Sequence, residues 1–195
     1  MTINKIVWRL KEKIIETFFQ KVRVFFYSFL SNIKIKAKKN QPVLANGKGI
    51  IKIGTNVNFG VNYSPDYYSK YTYLNARRDN SYIEIGDNCH INNNATIISD
   101  GKRIIIGNNC LIGTNLQILD SDFHDLNPAN RFGGKNIIKK DVIIKNNVFI
   151  GSNVTILKGV VIGENSVIGS NSLVCKSIPD NVIAAGNPIK VVKKL

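Results

Sequence analysis

Residues 138–174 read IKKDVIIKNNVFIGSNVTILKGVVIGENSVIGSNSLV, and an aliphatic residue returns at every sixth position. The recurring residues are Ile138, Ile144, Ile150, Ile156, Ile162, Ile168 and Val174. The same step of six links Ile85, Ile91 and Ile97, and again Ile106, Ile112 and Ile118. Six is neither the α-helical period nor the alternation of a long strand. The period therefore predicts a solenoid of short flat strands and corners, with one inward aliphatic residue on each face.

Glycine and asparagine hold fixed places in the same repeat. Glycine often follows the aliphatic residue directly, as at Gly86 and Gly107, and asparagine comes three residues after it, as at Asn88 and Asn153. These residue types tolerate positive φ better than others do. We therefore expect them at the corners, with successive coils about 4.8 Å apart.

The charge of the chain is concentrated at its N-terminus. The 195 residues carry a formal net charge of +14, and residues 1–40 contribute ten Lys and Arg against two Glu. The segment Thr2–Asn40 lacks Gly and Pro, and its apolar residues recur at helical spacing between basic ones. Residues 1–40 are thus predicted to form a basic amphipathic helical arm, and residues 41–195 the solenoid. Such a helix either lies in a membrane interface or packs on protein, and the sequence leaves both open.

Several classes of protein are excluded or disfavoured by composition. The arm has no run of roughly 20 apolar residues, so it does not cross a membrane, and charges interrupt any secretory signal. Three cysteines without a CxxC spacing argue against a disulfide scaffold and fit a reducing compartment. Two histidines exclude a three-histidine zinc site within one chain, as zinc-dependent hydration would need. No nucleic-acid recognition motif accompanies the charge, so a nucleic-acid partner is not expected.

The repeat is interrupted near residues 60–82, 99–103 and 120–136, where inserted loops are predicted to emerge from the rigid solenoid. The last of these carries His124, six residues after Ile118 and so at a position that elsewhere holds an inward isoleucine. Acidic residues surround this histidine, which favours a catalytic role. The first insertion holds tyrosines that would either stack on sugar rings or, as we favour, pack the loop: Tyr63, Tyr67, Tyr68, Tyr71 and Tyr73.

The C-terminal stretch points to a known family. It contains IGSN at 150–153, KGVVIG at 158–163 and IPDNVIAAGNPIKV at 178–191. With the six-residue period, the sequence over about 50–192 resembles the hexapeptide-repeat acyltransferases, and its ending is similar to their sugar and polysaccharide O-acetyltransferases. The resemblance implies a left-handed parallel β-helix, an all-β solenoid to which the N-terminal amphipathic α-helix and a short C-terminal tail are added.

The resemblance also implies a mechanism. His124 would be the general base that takes a proton from an acceptor hydroxyl as it attacks the thioester of acetyl-CoA, with no metal required. Asp122 is the first candidate to orient the imidazole, followed by Asp125 and Asp120. Asn94 and Asp125 are predicted to contact the acceptor. The resemblance assigns the CoA groove and its phosphates to Gly151, Ser152, Ser170, Lys176, Lys190 and Lys193.

The leading hypothesis is an acetyl-CoA-dependent O-acetyltransferase of a capsule, O-antigen or exopolysaccharide, or of its precursor. Two alternatives stay open, N-acetylation of a nucleotide-linked amino sugar and a non-catalytic β-helix scaffold. By resemblance we expect a homotrimer with active sites between subunits. The expected location is the cytoplasm, with contact to the inner face of the bacterial membrane through residues 1–40 if the arm binds lipid.

Overall fold

The computed structural model describes residues 3–132 and 135–195. Met1 and Thr2 of the predicted arm, and Gly133 and Gly134 of the predicted insertion at 120–136, lie outside the described residues. One long helix, α1 (Ile3–Leu30), precedes a body built from short strands. Among the described residues, no helix is both long and apolar enough to span a bilayer.

The strands form three sheets that the chain visits in turn. The first sheet contains β1 (Lys38–Lys39), β4 (Asn58–Phe59), β7 (His90–Ile91), β10 (Leu111–Ile112), β13 (Phe149–Ile150), β16 (Val167–Ile168), β18 (Val182–Ala185) and β19 (Lys190–Lys194). The second contains β2 (Val43–Gly47), β5 (Thr72–Ala76), β8 (Thr96–Ser99), β11 (Gln117–Leu119), β14 (Thr155–Ile156) and β17 (Leu173–Val174). The third contains β3 (Ile50–Ile53), β6 (Tyr82–Ile85), β9 (Arg103–Ile106), β12 (Val142–Ile144) and β15 (Val161–Ile162).

Each strand pairs in parallel with its counterpart in the next coil, and the final pair, β18 with β19, is antiparallel. Because three consecutive strands belong to three different sheets, the body is a three-sided solenoid, which confirms the predicted fold class. The stacked isoleucines fill its interior. On the third sheet Ile85 pairs with Ile106, Ile106 with Ile144 and Ile144 with Ile162, and all four are completely buried.

Asparagine side chains run along two edges of the prism. At the first corner, between the first and second sheets, the amide of each asparagine donates to the next in the series Asn94, Asn115, Asn153 and Asn171. At the third corner, between the third and first sheets, the series is Asn56, Asn88, Asn109, Asn147, Asn165 and Asn181. All ten have φ between 53° and 62°. The predicted corner role of asparagine is therefore confirmed, with a ladder of side-chain hydrogen bonds added to it.

Two details of the predicted register are wrong. Ile138 was counted among the inward residues, but its side chain is 45% exposed, and the coil resumes at Val142 and Ile144. An antiparallel bridge between Ser121 and Lys139 closes the base of the insertion, so Ile138 belongs to the loop. The interval 60–82, predicted as a loop, contains the strand β5, which pairs with β2 and β8.

The arm is helical to Leu30, and the chain then crosses the N-terminal end of the solenoid. Ile33, Ile35 and Ala37 pack against the core there. The Ser31 hydroxyl accepts a hydrogen bond from the amide of Ala45 on β2. The segment 31–37, which we call the strap, therefore joins the end of α1 to the solenoid and is not itself helical.

Candidate active site

His124 lies in the insertion at the second corner, between β11 and β12. The chain leaves the coil directly after β11, so the imidazole is exposed on the loop and does not take the inward position that isoleucine has at this step of the repeat. Its Nδ1 is 3.2 Å from the carbonyl oxygen of Arg131. A carbonyl oxygen only accepts, so Nδ1 is the donor in this contact, and in the neutral ring the lone pair is on Nε2. The loop therefore selects the tautomer that a general base at Nε2 needs.

The residue before the histidine has an unusual backbone. Phe123 has φ 58°, the left-handed region that bulky side chains rarely adopt. Its amide donates to the Ser121 hydroxyl at 2.9 Å, and the Arg77 guanidinium lies 4.9 Å from the centre of its ring. The hydroxyl and the guanidinium hold the turn in place. This turn directly precedes His124, so we expect it to set the position of the imidazole.

Asp122 anchors the loop to the following coil. Its Oδ1 is 2.5 Å from Nζ of Lys158, and its backbone amide donates to the carbonyl of Ile138. The second carboxylate oxygen, Oδ2, is buried without a hydrogen-bond partner. Within residues 3–132 and 135–195, no carboxylate lies within ion-pair distance of His124. The contact at Nδ1 is made by a backbone carbonyl, whereas the sequence predicted a carboxylate there.

Asp125 is the second buried acid of the loop. Its Oδ1 accepts a hydrogen bond from the amide of Asn127 at 2.9 Å, which starts the short 3₁₀ helix Pro128–Asn130. Its Oδ2 is buried and has no partner. Asp122 and Asp125, which flank His124 in the sequence, thus each hold an oxygen that can still accept a hydrogen bond.

Asp120, the third acid considered for orienting His124, is fully buried at the root of the loop. Its carboxylate accepts from the Ser99 hydroxyl and from the amides of Asp100 and Lys102. Burial raises its pKa, partly offset by these hydrogen bonds. The neighbouring Asp100 pairs with Arg78 and Lys139. Asp120 therefore joins the turn after β8 to the base of the insertion and does not contact the imidazole.

Asn94 belongs to the ladder at the first corner. Its side-chain amide donates to Asn115 at 2.8 Å, and its backbone amide donates to the Gln41 side chain. His124 is on the loop of the second corner, so the two predicted site residues are at different edges of the same chain.

Three of the predicted donor residues, Gly151, Ser152 and Ser170, gather at the first corner. The amide of Ser152 donates to the hydroxyl of Ser170 on the next coil at 3.1 Å. A Cβ at Gly151 would lie 2.6 Å from the backbone nitrogen of Ser170, so the close stacking of these coils requires glycine there. Lys176, Lys190 and Lys193 are exposed beyond the last coils, the latter two on β19. In the described part of the chain none of these three lysines is paired with a carboxylate.

A groove of about 1220 Å³ separates α1 from the loop that follows β4. Lys39, Tyr63, Tyr67 and Tyr68 are among its lining residues. Burial, together with the charge of Lys34, lowers the pKa of Lys39. Other members of the tyrosine cluster pack, since the ring of Tyr71 contacts both Tyr27 of α1 and Tyr73, at centroid distances of 4.7 and 6.4 Å.

Sequence reasoning missed several residues that shape the site. Arg77, Phe123, Arg131 and Lys158 come from three separate parts of the chain. Their relation to His124 depends on which coils stack and on the path of the insertion. Lys158 had one signal in the sequence. The first and third corners of the coils carry Asn, whereas the second corner, after β14, carries Leu157, Lys158 and Gly159.

Comparisons with known proteins agree with this architecture. Residues 141–176 match the family described as bacterial transferase hexapeptide (six repeats), and residues 83–99 and 103–115 match the hexapeptide repeat of succinyl-transferase. A hexapeptide-repeat-containing acetyltransferase of Vibrio cholerae shares 26% identity with a TM-score of 0.56, over 96% of this chain and 87% of the other. A search of curated protein sequences returned no significant match.

Two further solved structures share the fold. A Vibrio cholerae hexapeptide-repeat acetyltransferase complexed with acetyl-CoA is 23% identical with a TM-score of 0.52, over 90% of this chain and 77% of the other. A point mutant of AntD, an N-acyltransferase from Bacillus cereus, in complex with dTDP and CoA is 23% identical with a TM-score of 0.56, over 81% and 82%. The solenoid and its repeats define a left-handed parallel β-helix protein. Family models of hexapeptide repeats match this chain, and its structural neighbours are hexapeptide-repeat acetyltransferases, which confirms the predicted resemblance.

Proposed function

We propose that this protein transfers an acetyl group from acetyl-CoA to a hydroxyl of a sugar in a cell-surface polysaccharide or its precursor. The observation that carries the proposal is the contact between His124 Nδ1 and the carbonyl of Arg131. It leaves Nε2 as a proton acceptor on an exposed ring, near the start of an insertion that is fixed on both sides.

The reaction needs one base and an activated acyl donor. As the acceptor hydroxyl attacks the thioester carbonyl, Nε2 of His124 takes its proton, and a tetrahedral intermediate forms. The intermediate collapses with cleavage of the C–S bond, and the imidazolium returns the proton to the leaving thiolate. The products are a sugar ester and CoA with a free thiol. A backbone N–H at a coil corner is the expected donor to the oxyanion.

The acceptor is proposed from the hydrogen-bonding groups around the histidine. Asp122 and Asp125 each keep one buried carboxylate oxygen without a donor. Sugar hydroxyls are donors that suit such oxygens, and a shift of the loop that uncovers them would let a bound sugar donate to both. The predicted acceptor contact of Asn94 stays a prediction.

The donor groove is proposed along the C-terminal coils. The close stacking of Gly151 and Ser152 on Ser170 creates a corner without bulky side chains, on which a pantetheine chain can lie. Three lysines beyond it, Lys176, Lys190 and Lys193, offer cations for the CoA phosphates. The solved Vibrio cholerae relative in complex with acetyl-CoA supports the same donor here.

The separation of these groups supports a homotrimer with shared active sites. Ser152 is at the first corner, and Lys158, to which the loop of His124 is tied, is at the second corner of the same coil. Six residues of extended chain span about 20 Å, too far for one thioester to meet both. We therefore infer that Nε2 of His124 in one subunit is the general base for attack on acetyl-CoA bound to the neighbouring subunit.

The proposal is tested by acyl transfer from acetyl-CoA to purified polysaccharides and to nucleotide-linked amino sugars. We expect an acetylated polysaccharide whose acetyl group is released by mild alkali, as an ester is. The His124→Ala variant should form none, and His90→Ala, which changes the other exposed histidine, should act like the wild type. An alkali-stable acetyl group on an amino sugar would overturn O-acetylation. Transfer that persists in His124→Ala would overturn the role of the histidine.

A further inference from the structure

The helix α1 faces the solenoid with polar side chains. The Gln20 amide donates to the carbonyls of Asn40 and Tyr67, and Gln20 is only 5% exposed. The Arg23 guanidinium donates to the carbonyls of Tyr67 and Lys70. These contacts hold the helix by hydrogen bonds to the loop after β4, with few of its apolar residues used for packing.

The opposite side of α1 is apolar and uncovered. We call this the outward face, and it consists of Phe18, Phe19, Val22, Phe25, Phe26 and Phe29, each between 47% and 74% exposed. At 100° per residue these six fall within an arc of about 120°, roughly opposite Gln20 and Tyr27. An amphipathic helix normally buries its apolar stripe against its own protein. Here the stripe is turned away from it, although Phe25 at its margin also lines the groove beside α1, and such an uncovered face is typical of an interaction surface.

The charges near the outward face indicate what covers it. Residues 1–40 hold ten Lys and Arg and two Glu, and Lys21, Lys36 and Lys38 lie near or after the outward face. Two copies of this chain that met through their outward faces would bring two such cationic segments together. A membrane that contains anionic lipids presents the complementary charge, with an apolar layer beneath it.

The composition of the helix agrees with that partner. Five of the six residues are phenylalanine, and the single tryptophan of the chain, Trp8, falls within the same arc and is 64% exposed. Tryptophan favours the boundary between headgroups and acyl chains, and phenylalanine is common on the apolar face of helices that lie in the membrane interface. The helix is amphipathic and not apolar enough to span a bilayer, as helices that lie in the plane of the interface are.

We propose that the outward face of α1 docks the protein on an anionic membrane surface, with the helix parallel to the bilayer and the phenylalanines inserted. Gln20, Arg23 and the strap at 31–37 then couple the solenoid to that surface. This proposal concerns a different part of the molecule from His124 and does not depend on the acyl transfer proposed above.

The test uses the full chain and the intrinsic fluorescence of Trp8. With vesicles of phosphatidylcholine and phosphatidylglycerol, we expect a blue shift of the emission and co-flotation of the protein. Vesicles of phosphatidylcholine alone should bind more weakly, and salt should weaken binding to the anionic ones. The triple variant Phe18→Ser/Phe25→Ser/Phe29→Ser should lose about a hundredfold in vesicle affinity.

Ile50→Ser/Val61→Ser is the matched control, because it changes exposed apolar residues outside the helix and should bind like the wild type. Circular dichroism and thermal unfolding check that all variants are folded. Absence of a Trp8 shift with anionic vesicles would overturn the proposal. So would a shift that grows with protein concentration alone and accompanies larger oligomers, since a second copy would then cover the face. His124→Ala should bind vesicles normally, which separates this result from the catalytic one.

Discussion

Lys158, at the second corner of the coil after the insertion, forms an ion pair with Asp122, two residues before His124, at 2.5 Å between Nζ and Oδ1. Both side chains are about one-fifth exposed, so water screens the pair less than it would a surface pair. The pair fastens the start of the loop, while the contact of His124 with Arg131 fastens its far side. The position of the imidazole therefore depends on a residue 34 positions further along the chain.

If Asp122 acts by anchoring the loop through Lys158, the two residues should behave as one unit. We expect Asp122→Asn and Lys158→Gln each to lower kcat by about tenfold, and the double variant to lose little more than either one. A steady-state comparison of the three variants measures this coupling. A loss in Asp122→Asn far beyond that in Lys158→Gln would contradict anchoring and indicate direct contact with His124 during the reaction.

The left-handed turn at Phe123 should matter more for activity than for stability. Phe123→Gly relieves about 1–2 kcal/mol of backbone strain and loses about 1 kcal/mol of contact with Arg77. The free energy of unfolding should thus change little, whereas kcat should fall because His124 is held less firmly. Chemical denaturation and kinetics on the same variant check this. Unchanged kcat would show that the turn is not what positions the imidazole.

Asp100 should make stability depend on pH. Burial alone raises its pKa, but hydrogen bonds from Lys139 and Arg78 outweigh this, and the net pKa is lowered. A carboxyl with a lowered folded-state pKa stabilises the protein above its ordinary pKa, and this contribution is lost as pH falls through the folded-state value. Asp100→Asn should therefore cost about 1–2 kcal/mol near neutral pH. Denaturation of both proteins from neutral to acidic pH should show the difference shrink, and a constant difference would count against this account.

Two substitutions at Asn109 separate the stability contribution of its backbone conformation from that of its side-chain hydrogen bonds. Asn109 has φ 57° and bonds to Asn88 and Asn147 at 3.2 Å each. Asn109→Gly keeps the backbone geometry and loses the ladder, so we expect a cost of about 1 kcal/mol. Asn109→Ala should cost about 1 kcal/mol more because alanine resists positive φ. Equal unfolding free energies for the two variants would mean that the conformation of the corner is not strained.

The lysines of β19 should affect only the binding of acetyl-CoA. Lys190→Gln/Lys193→Gln should raise the KM for acetyl-CoA several-fold and leave kcat near that of the wild type, because phosphates far from the thioester contribute binding alone. Acetyl-dephospho-CoA should show a smaller difference between the two proteins. Lys52→Gln, which changes a lysine on β3, is the control. An unchanged KM in the double variant would place the CoA phosphates elsewhere.

The solenoid could be predicted because its packing rule is local. One inward isoleucine every six residues fixes the face of each strand, as Ile106, Ile144 and Ile162 show. The six-residue spacing did not give the right positions where the chain leaves the coil. His124 and Ile138 both keep the step of six, yet neither is inside, because the bridge between Ser121 and Lys139 is a contact that no repeat encodes. The conformation of an insertion depends on its own hydrogen bonds and not on the six-residue period of the coils.

The candidate site was predicted in part for the same reason. A break in the repeat marked the loop of His124, and its acidic neighbours suggested the chemistry that we propose for it. The carbonyl of Arg131 at Nδ1 carries no sequence signal, since every residue has a carbonyl oxygen. The amphipathicity of α1 was likewise visible, but its orientation was not, because that depends on the carbonyls of Asn40 and Tyr67 that Gln20 reaches.

The central claim is that Nε2 of His124 accepts the proton of the acceptor hydroxyl during acyl transfer. It is tested most directly by the rate of thiol release from acetyl-CoA in the presence of the unacylated acceptor polysaccharide, in the wild type and in His124→Ala. We predict a loss of about 10²–10⁴-fold in kcat with unchanged thermal unfolding and oligomeric state. A His124→Ala protein that releases CoA within about threefold of the wild-type rate would contradict the claim, because a general base contributes more than that.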